Sequence, residues 1–288
     1  MPSLGSFIII KNEAQFIAAH LLMWLPHLDQ MVFFDGNSTD GTLEIIKAIR
    51  AENRHGDKIK LYENRDCADM KDDYVRVFNE ALRSLDTDLA MFLHPDMIPS
   101  VVNPEKISQI AISDAVALSC KMRSFAGEPG CQLFEMVGRG QSWKNIFRLR
   151  NPDLGAHYHG WYGAHNEDVY FSAITGDEHE HHGHDFSKYP YGVVDSGLEI
   201  LHFSDVRTYG RRLERMKTCL ANQGKKSDKI DEIAAIHPRV TLENGAIAFF
   251  ERGAMSYDNF TLVPSEYPTA FSDSRNLYRH LEKELATV

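Results

Sequence analysis

An α/β fold with a mostly parallel central sheet is predicted by three features of the N-terminal half of the chain. Two short apolar runs, Phe7-Ile8-Ile9-Ile10 and Met31-Val32-Phe33-Phe34, flank a stretch with helical periodicity, and a third run, Leu89-Ala90-Met91-Phe92-Leu93, follows later. The runs are too short for helices and continuous rather than alternating, as in strands buried on both faces. Between the first two, Phe16, Ile17, Leu21, Leu22 and Leu25 recur at helical spacing over Ala14 to Leu25, and Pro26 ends the helix. Each strand runs into a polar tip: Lys11-Asn12-Glu13, Asp35 to Asp40, and His94-Pro95-Asp96. Ligands of open α/β sheets bind beyond the carboxyl ends of the strands. The first two tips are therefore expected at one edge of one sheet. Gly41 permits a tight turn there, and Asp40 is placed to cap the helix that begins near Thr42.

The remaining elements follow by the same reasoning. Leu43 to Ala51 is an amphipathic helix and Lys58 to Tyr62 a strand; Asn64 to Asp72 is a polar loop and Tyr74 to Leu85 a helix. Pro104 to Ala111 is a helix entered through Asn103. Ala115 to Phe125 is a strand, Gly127 to Gly140 a glycine-rich loop region, and Lys144 to Arg150 a strand with basic positions. Glu199 to Ser204 is a short strand, followed by a basic helix over Thr208 to Leu220. Residues 1–220 are expected to form the main domain. Residues 221–288 are expected to form a mostly helical appendage (helices over Lys229 to Ile236 and Asn276 to Leu285) that covers the acceptor, makes an oligomer contact or docks to a partner.

Composition narrows the classes. A net charge of −10 over 288 residues argues against a nucleic-acid platform. An acidic protein that handles a diphosphate needs a metal or local cations to offset repulsion. The four cysteines, Cys67, Cys120, Cys131 and Cys219, lack C-x-x-C spacing, which suggests reduced thiols and a cytoplasmic protein. Neither a signal peptide nor a stretch of transmembrane length is visible, so a soluble protein, or one peripheral to a membrane through partners, is expected.

The segment Asp35-Gly36-Asn37-Ser38-Thr39-Asp40-Gly41-Thr42, one helix after Lys11-Asn12-Glu13, resembles the start of family 2 glycosyltransferases, whose second strand ends in a motif like D-[DGN]-x-S-x-D-G-T. The resemblance covers roughly residues 5 to 215 and implies a GT-A-like fold binding a nucleotide-sugar, UDP-linked by preference. It implies that Asp35 contacts the nucleoside, with Asn12, Glu13 and Asn37 beside it. A carboxylate at a strand tip can accept from a base N–H or from ribose hydroxyls. Lys71 and Asn79 are the nearest matches to basic and amide residues that the family carries near the donor; a solvated helix face accounts equally for Lys71. His94-Pro95-Asp96 stands where the family has D-x-D. Here the first Asp is His94, while Asp96 keeps the position of the direct ligand to Mn²⁺ or Mg²⁺. His94 then contacts ribose, acts as a nitrogen ligand or caps the strand. By the same resemblance His202, in Leu201-His202-Phe203, is a second metal ligand or lies against the diphosphate, with a buried structural histidine as the alternative. In Trp161-Tyr162-Gly163-Ala164-His165-Asn166-Glu167-Asp168, one carboxylate is the base of an inverting transfer to a hydroxyl acceptor. Glu167 and Asp168 are adjacent, so in extended chain they point opposite ways. The H-x-E likeness favours Glu167 without excluding Asp168. Trp161 stacks on a sugar ring or belongs to the core.

Two other functions fit parts of the sequence. A non-catalytic nucleotide-sugar-binding protein of the same fold is consistent with the loss of the first D-x-D carboxylate at His94. A metal-dependent hydrolase is suggested by residues 157–184, which hold seven of the fourteen histidines, His179, His181, His182 and His184 among them. The tract from His179 to His184 lies in a polar run with Gly176, Asp177 and Glu178, as an exposed loop does. Replacing its histidines is expected to leave transferase activity close to unchanged in a donor-consumption assay. Abolished activity would point to the hydrolase instead.

Overall fold

The computed structural model describes residues 3–65, 77, 80–103, 105–106, 117–127, 133–137, 144–148, 193–207, 211, 214, 241–243, 246–248 and 261–266. In chain order the elements are β1 (Leu4–Ile10), α1 (Ala14–Trp24), β2 (Gln30–Asp35), α2 (Thr42–Glu52), β3 (Ile59–Tyr62), β4 (Leu89–Phe92), β5 (Met97–Val101), β6 (Ala117–Gly127), β7 (Leu133–Val137), β8 (Lys144–Arg148), β9 (Val193–Val206), β10 (Thr241–Glu243), β11 (Ala246–Ala248) and β12 (Thr261–Ser265). The chain divides into two compact units. The first comprises Met1–Met122, Trp143–Ile200 and Pro268–Val288, and the second Arg123–Ser142 and Leu201–Tyr267.

In the first unit the strands run in the order β6-β8-β4-β1-β2-β3. β1 pairs in parallel with β2 and with β4, and β2 in parallel with β3. β8 is antiparallel to both β4 and β6. The α/β, mostly parallel GT-A-like architecture expected from the sequence agrees with this arrangement. The pleat sorts the side chains. Leu4, Ile8 and Ile10 of β1 share a core with Met31 and Phe33 of β2, with Leu89 and Met91 of β4, and with Ile17, Leu21 and Trp24 of α1. On alternate positions Phe7 meets Phe92, ring centroids 5.1 Å apart. Fully burying side chains of this size contributes about 1.5–3 kcal/mol each.

In the second unit β12, β7 and β6 form an antiparallel ladder, and β10 pairs with β11. Phe125 and Phe203 stack there at 5.0 Å. One reading from the sequence needs correction. The stretch Gly127 to Gly140 is not loop throughout, because its apolar residues Leu133 and Met136 build β7 and are buried. Met97 to Val101, to which the sequence reading assigned no element, is the strand β5. After residue 221 the described residues are the strands β10, β11 and β12 and Glu266; the helices expected at 229–236 and 276–285 lie outside the described residues.

Helix α1 is apolar nearly all round and buried, as expected for a helix with partners on several sides. Just past its C-terminus the chain is bound by Lys58, whose Nζ donates to Leu25 O at 3.1 Å and Leu28 O at 2.7 Å. Two polar rings lie in its buried face. His20 Nδ1–H and Trp24 Nε1–H both donate to the Met97 carbonyl at 2.9 Å. A carbonyl only accepts, so the neutral His20 ring carries its proton on Nδ1. His20 also sits edge-on to Phe33 at 6.4 Å. Burial drives its pKa down from 6.5 to about 4, against opposing contributions from the Met97 carbonyl, Asp96 and the Pro95 carbonyl. Burial, with Lys58 nearby, lowers the pKa of His27 as well.

A histidine held neutral in the folded chain makes stability depend on pH. Between pH 6.5 and about 4 the unfolded chain binds the His20 proton and the folded chain does not, so stability falls as pH falls through that window. The expected loss from His20 is on the order of 2–3 kcal/mol. Denaturant unfolding of the native chain and of His20→Leu at pH 7 and pH 4.5 checks it: the variant should show the shallower pH dependence.

Candidate functional site

The parallel pairing brings the C-terminal ends of β1, β2, β3 and β4 to one edge of the sheet. Ile10 is in register with Asp35, and Phe34 with Tyr62. The last registered pair of β1 and β4 is Phe7 with Phe92, and Leu93 N continues to Phe7 O at 3.3 Å. β2 and β4 flank β1, so their axes lie two strand spacings apart, roughly 10 Å, and the last β1–β4 pair falls three residues before the Ile10–Asp35 pair. The two tips bearing Asp35 and Asp96 therefore share one edge.

Asp40 holds the first two tips together. Its Oδ2 accepts the Ala14 amide at 3.0 Å, the first amide of α1. Its Oδ1 accepts the Thr42 amide at 3.1 Å and the Thr42 hydroxyl at 2.5 Å, at the start of α2. One carboxylate thus serves the N-termini of two helices, where amides need acceptors and the helix dipoles favour negative charge. The lacing continues around it. Thr42 Oγ1 accepts the Glu13 amide at 2.8 Å, and Ser38 Oγ accepts the Asn12 amide at 2.8 Å. Asn12 Oδ1 accepts the Thr39 amide at 2.7 Å, and Gly36 N donates to Ile10 O at 2.8 Å. Asn12, Asn37 and Asn64, each two residues beyond the end of its strand, have φ of 57°, 63° and 56°. Asn is the non-glycine residue best suited to that left-handed region. Gly41, at φ 90°, is the residue just before α2.

The expected site residues divide accordingly. Asp35 ends β2, is fully buried and accepts the Ser38 amide at 3.0 Å. Asn12 and Glu13 lie in the laced loop, the first through its side chain and the second through its backbone, and Asn37 follows in the facing loop. Asp96 is 1% exposed. It lies in a turn closed by Met97 N donating to His94 O at 3.0 Å, with Pro95 at the position that favours its fixed φ. His94 packs edge-on against Phe92 at 4.8 Å. His202 is half-buried in β9, in the second unit. Lys71, Asn79, Trp161, Glu167, Asp168 and the tract His179 to His184 lie outside the described residues.

Three residues escaped the sequence reading. Arg65, taken as part of a polar loop, donates its amide to Asp35 O at 2.8 Å and lays its guanidinium over Phe34 and Tyr62, 5.5 and 5.7 Å from the ring centroids. Those rings stack on each other at 4.6 Å, and Arg65 also pairs with Glu80 at 3.1 Å. The signal available was a lone Arg just past a strand bearing an aromatic. His20 and Trp24 were hidden inside the apolar periodicity of α1.

No family model and no curated protein matches the chain. Among solved structures it is similar to the mannosyltransferase PcManGT from Pyrobaculum calidifontis in complex with GDP-Man and Mn²⁺, with a TM-score of 0.46 and 16% identity over 81% of this chain and 68% of that one. It is similar to residues 1–349 of S. aureus TarS at a TM-score of 0.41 and 14% identity, over 81% and 69% of the two chains. A third likeness is to glucosyl-3-phosphoglycerate synthase from Mycobacterium tuberculosis, in complex with Mn²⁺, UDP-glucose and phosphoglyceric acid, with a TM-score of 0.41 and 13% identity over 78% and 82%. These are distant likenesses of fold. Among the described residues no helix is long and apolar enough to cross a membrane.

The Asp40 network gives a stability prediction. Asp40→Ala removes a helix cap and two further hydrogen bonds to a charged acceptor, and should lower unfolding stability by about 2–4 kcal/mol. Chemical denaturation of the purified variant measures it.

Proposed function

We propose that the chain is a glycosyltransferase that moves a sugar from a nucleotide donor, UDP-linked by preference, to a hydroxyl acceptor with inversion. The observation that carries this reading is the pair of buried carboxylates, Asp35 and Asp96, at one edge of a parallel sheet with a single strand between them. In this reading Asp35 accepts hydrogen bonds from the nucleoside, and Asn12, Glu13 and Asn37 shape the loop around it. Arg65 adds a cation at the same edge. Asp35 is 0% and Asp96 1% exposed, so a donor that touches either carboxylate has to displace the chain that covers it.

A divalent cation suits the donor set. Among the described residues no group of three His, Cys, Asp or Glu side chains could hold a metal ion alone. Mg²⁺ and Mn²⁺ at nucleotide sites do not require one: one or two carboxylates bind the ion, and substrate phosphates and water complete the shell. Asp96 supplies the carboxylate, and imidazole from His94 is a further donor that Mn²⁺ accepts. When bound, the cation would neutralise charge on the leaving nucleoside diphosphate. Glu167, or Asp168, takes the proton from the acceptor hydroxyl as it attacks the anomeric carbon. The resemblance assigns Lys71 and Asn79 to the donor and Trp161 to a sugar.

Calorimetric titration with UDP and with GDP, each with and without Mn²⁺, tests the reading, followed by an assay of donor hydrolysis. Affinity should rise with Mn²⁺. Asp96→Ala should remove that gain, and Asp35→Ala should weaken nucleotide binding about tenfold, or roughly 1.4 kcal/mol. Undiminished Mn²⁺-dependent affinity in Asp96→Ala would sink the donor site. Binding without turnover would favour a non-catalytic nucleotide-sugar-binding protein.

A further inference from the structure

We propose that His20 and Trp24 of α1 are positioning residues for the cation-binding carboxylate. Resting on the reading that Asp96 holds the cation, the proposal concerns how that side chain is aimed. Met97 follows Asp96 directly, and both of its backbone polar groups are engaged. Its amide closes the turn on His94 O at 3.0 Å, and its carbonyl takes one hydrogen bond from each ring, both at 2.9 Å. Spacing of i and i+4 puts the two rings on one face of the helix, so a single rigid element supplies both donors.

Packing alone does not account for these residues. Both positions are fully buried, where Leu or Phe would fill the space without polar atoms. His20 in particular carries a cost. With Nδ1–H directed to Met97 O, its Nε2 is left buried with no hydrogen-bond partner among the described residues. An unmet buried acceptor keeps the full penalty of losing water. What the ring gains in return is a fixed carbonyl one residue from Asp96. Supports behind a metal ligand act in this way: they restrict its orientation without touching the ion.

The test measures the gain in nucleotide affinity that Mn²⁺ produces, for UDP and GDP in parallel by calorimetry, with the Mn²⁺ electron paramagnetic resonance signal as an independent readout of the bound ion. Trp24→Phe keeps an aromatic ring and removes the donor. His20→Leu removes the other donor, and His20→Asn keeps an N–H near the place of Nδ1. Trp24→Phe and His20→Leu should each reduce the Mn²⁺-dependent gain about tenfold, the scale for supports of metal ligands. His20→Asn should restore most of it. A general loss of packing would not separate the Asn from the Leu variant, nor act on the Mn²⁺-dependent part of binding. If His20→Leu does not fold, Trp24→Phe still decides. A native gain in Trp24→Phe, or no recovery in His20→Asn, overturns the proposal. Asp96→Ala runs alongside: if it loses the gain while Trp24→Phe keeps it, positioning alone fails, and if it keeps the gain, the donor-site reading fails and the proposal with it.

Discussion

The Asp40 carboxylate is the constraint on which the sheet edge depends. Parallel strands leave their tips free to splay, since each is followed by a loop and a helix of its own. Here the amides that open α1 and α2 meet the same side chain. The loops after β1 and β2 are thereby fixed to each other, and Ser38, Thr39 and Asn12 take up the remaining polar groups. Negative charge is favourable at a helix N-terminus, and two such ends share it at this point. A nucleotide pocket on this edge would inherit its shape from that arrangement.

Much of the fold was legible because the strands near the N-terminus are central and buried on both faces. Such strands give continuous Ile, Val and Phe runs, and β1, β2 and β4 declare themselves in that way. The polar tips were legible because Asp-Gly and His-Pro-Asp interrupt those runs abruptly. Edge and antiparallel strands carry weaker signals. β7 lies in a glycine-rich stretch with only a few apolar residues, and β5 contains a proline, both of which favour a reading as loop. The resemblance to glycosyltransferases covered the same early strands and was strongest where the loops are laced.

The places of Asp35 and Asp96 at or just beyond the ends of buried strands were legible in the sequence, and what holds the loops around them was opaque. Asp40 was read as a cap for α2 alone, because its second partner, Ala14, is remote in sequence and comes close only through the β1–β2 pairing. Trp24 and His20 fitted an apolar helix so well that their ring N–H groups drew no notice. Periodicity detects burial, and it is silent on where a buried donor points. Arg65 was overlooked for a related reason: stacking on Phe34 and Tyr62 depends on the pairing of β2 with β3.

The three left-handed asparagines have a wider consequence. At φ near +60° a side chain branched at Cβ is strained, and alanine costs roughly 1–2 kcal/mol, whereas glycine and aspartate are accommodated. The rim of this sheet is therefore written in a small alphabet, with substitutions there confined to a handful of residues. Diversity in what the chain recognises has to come from other segments, leaving these three corners as the inflexible frame around which recognition varies.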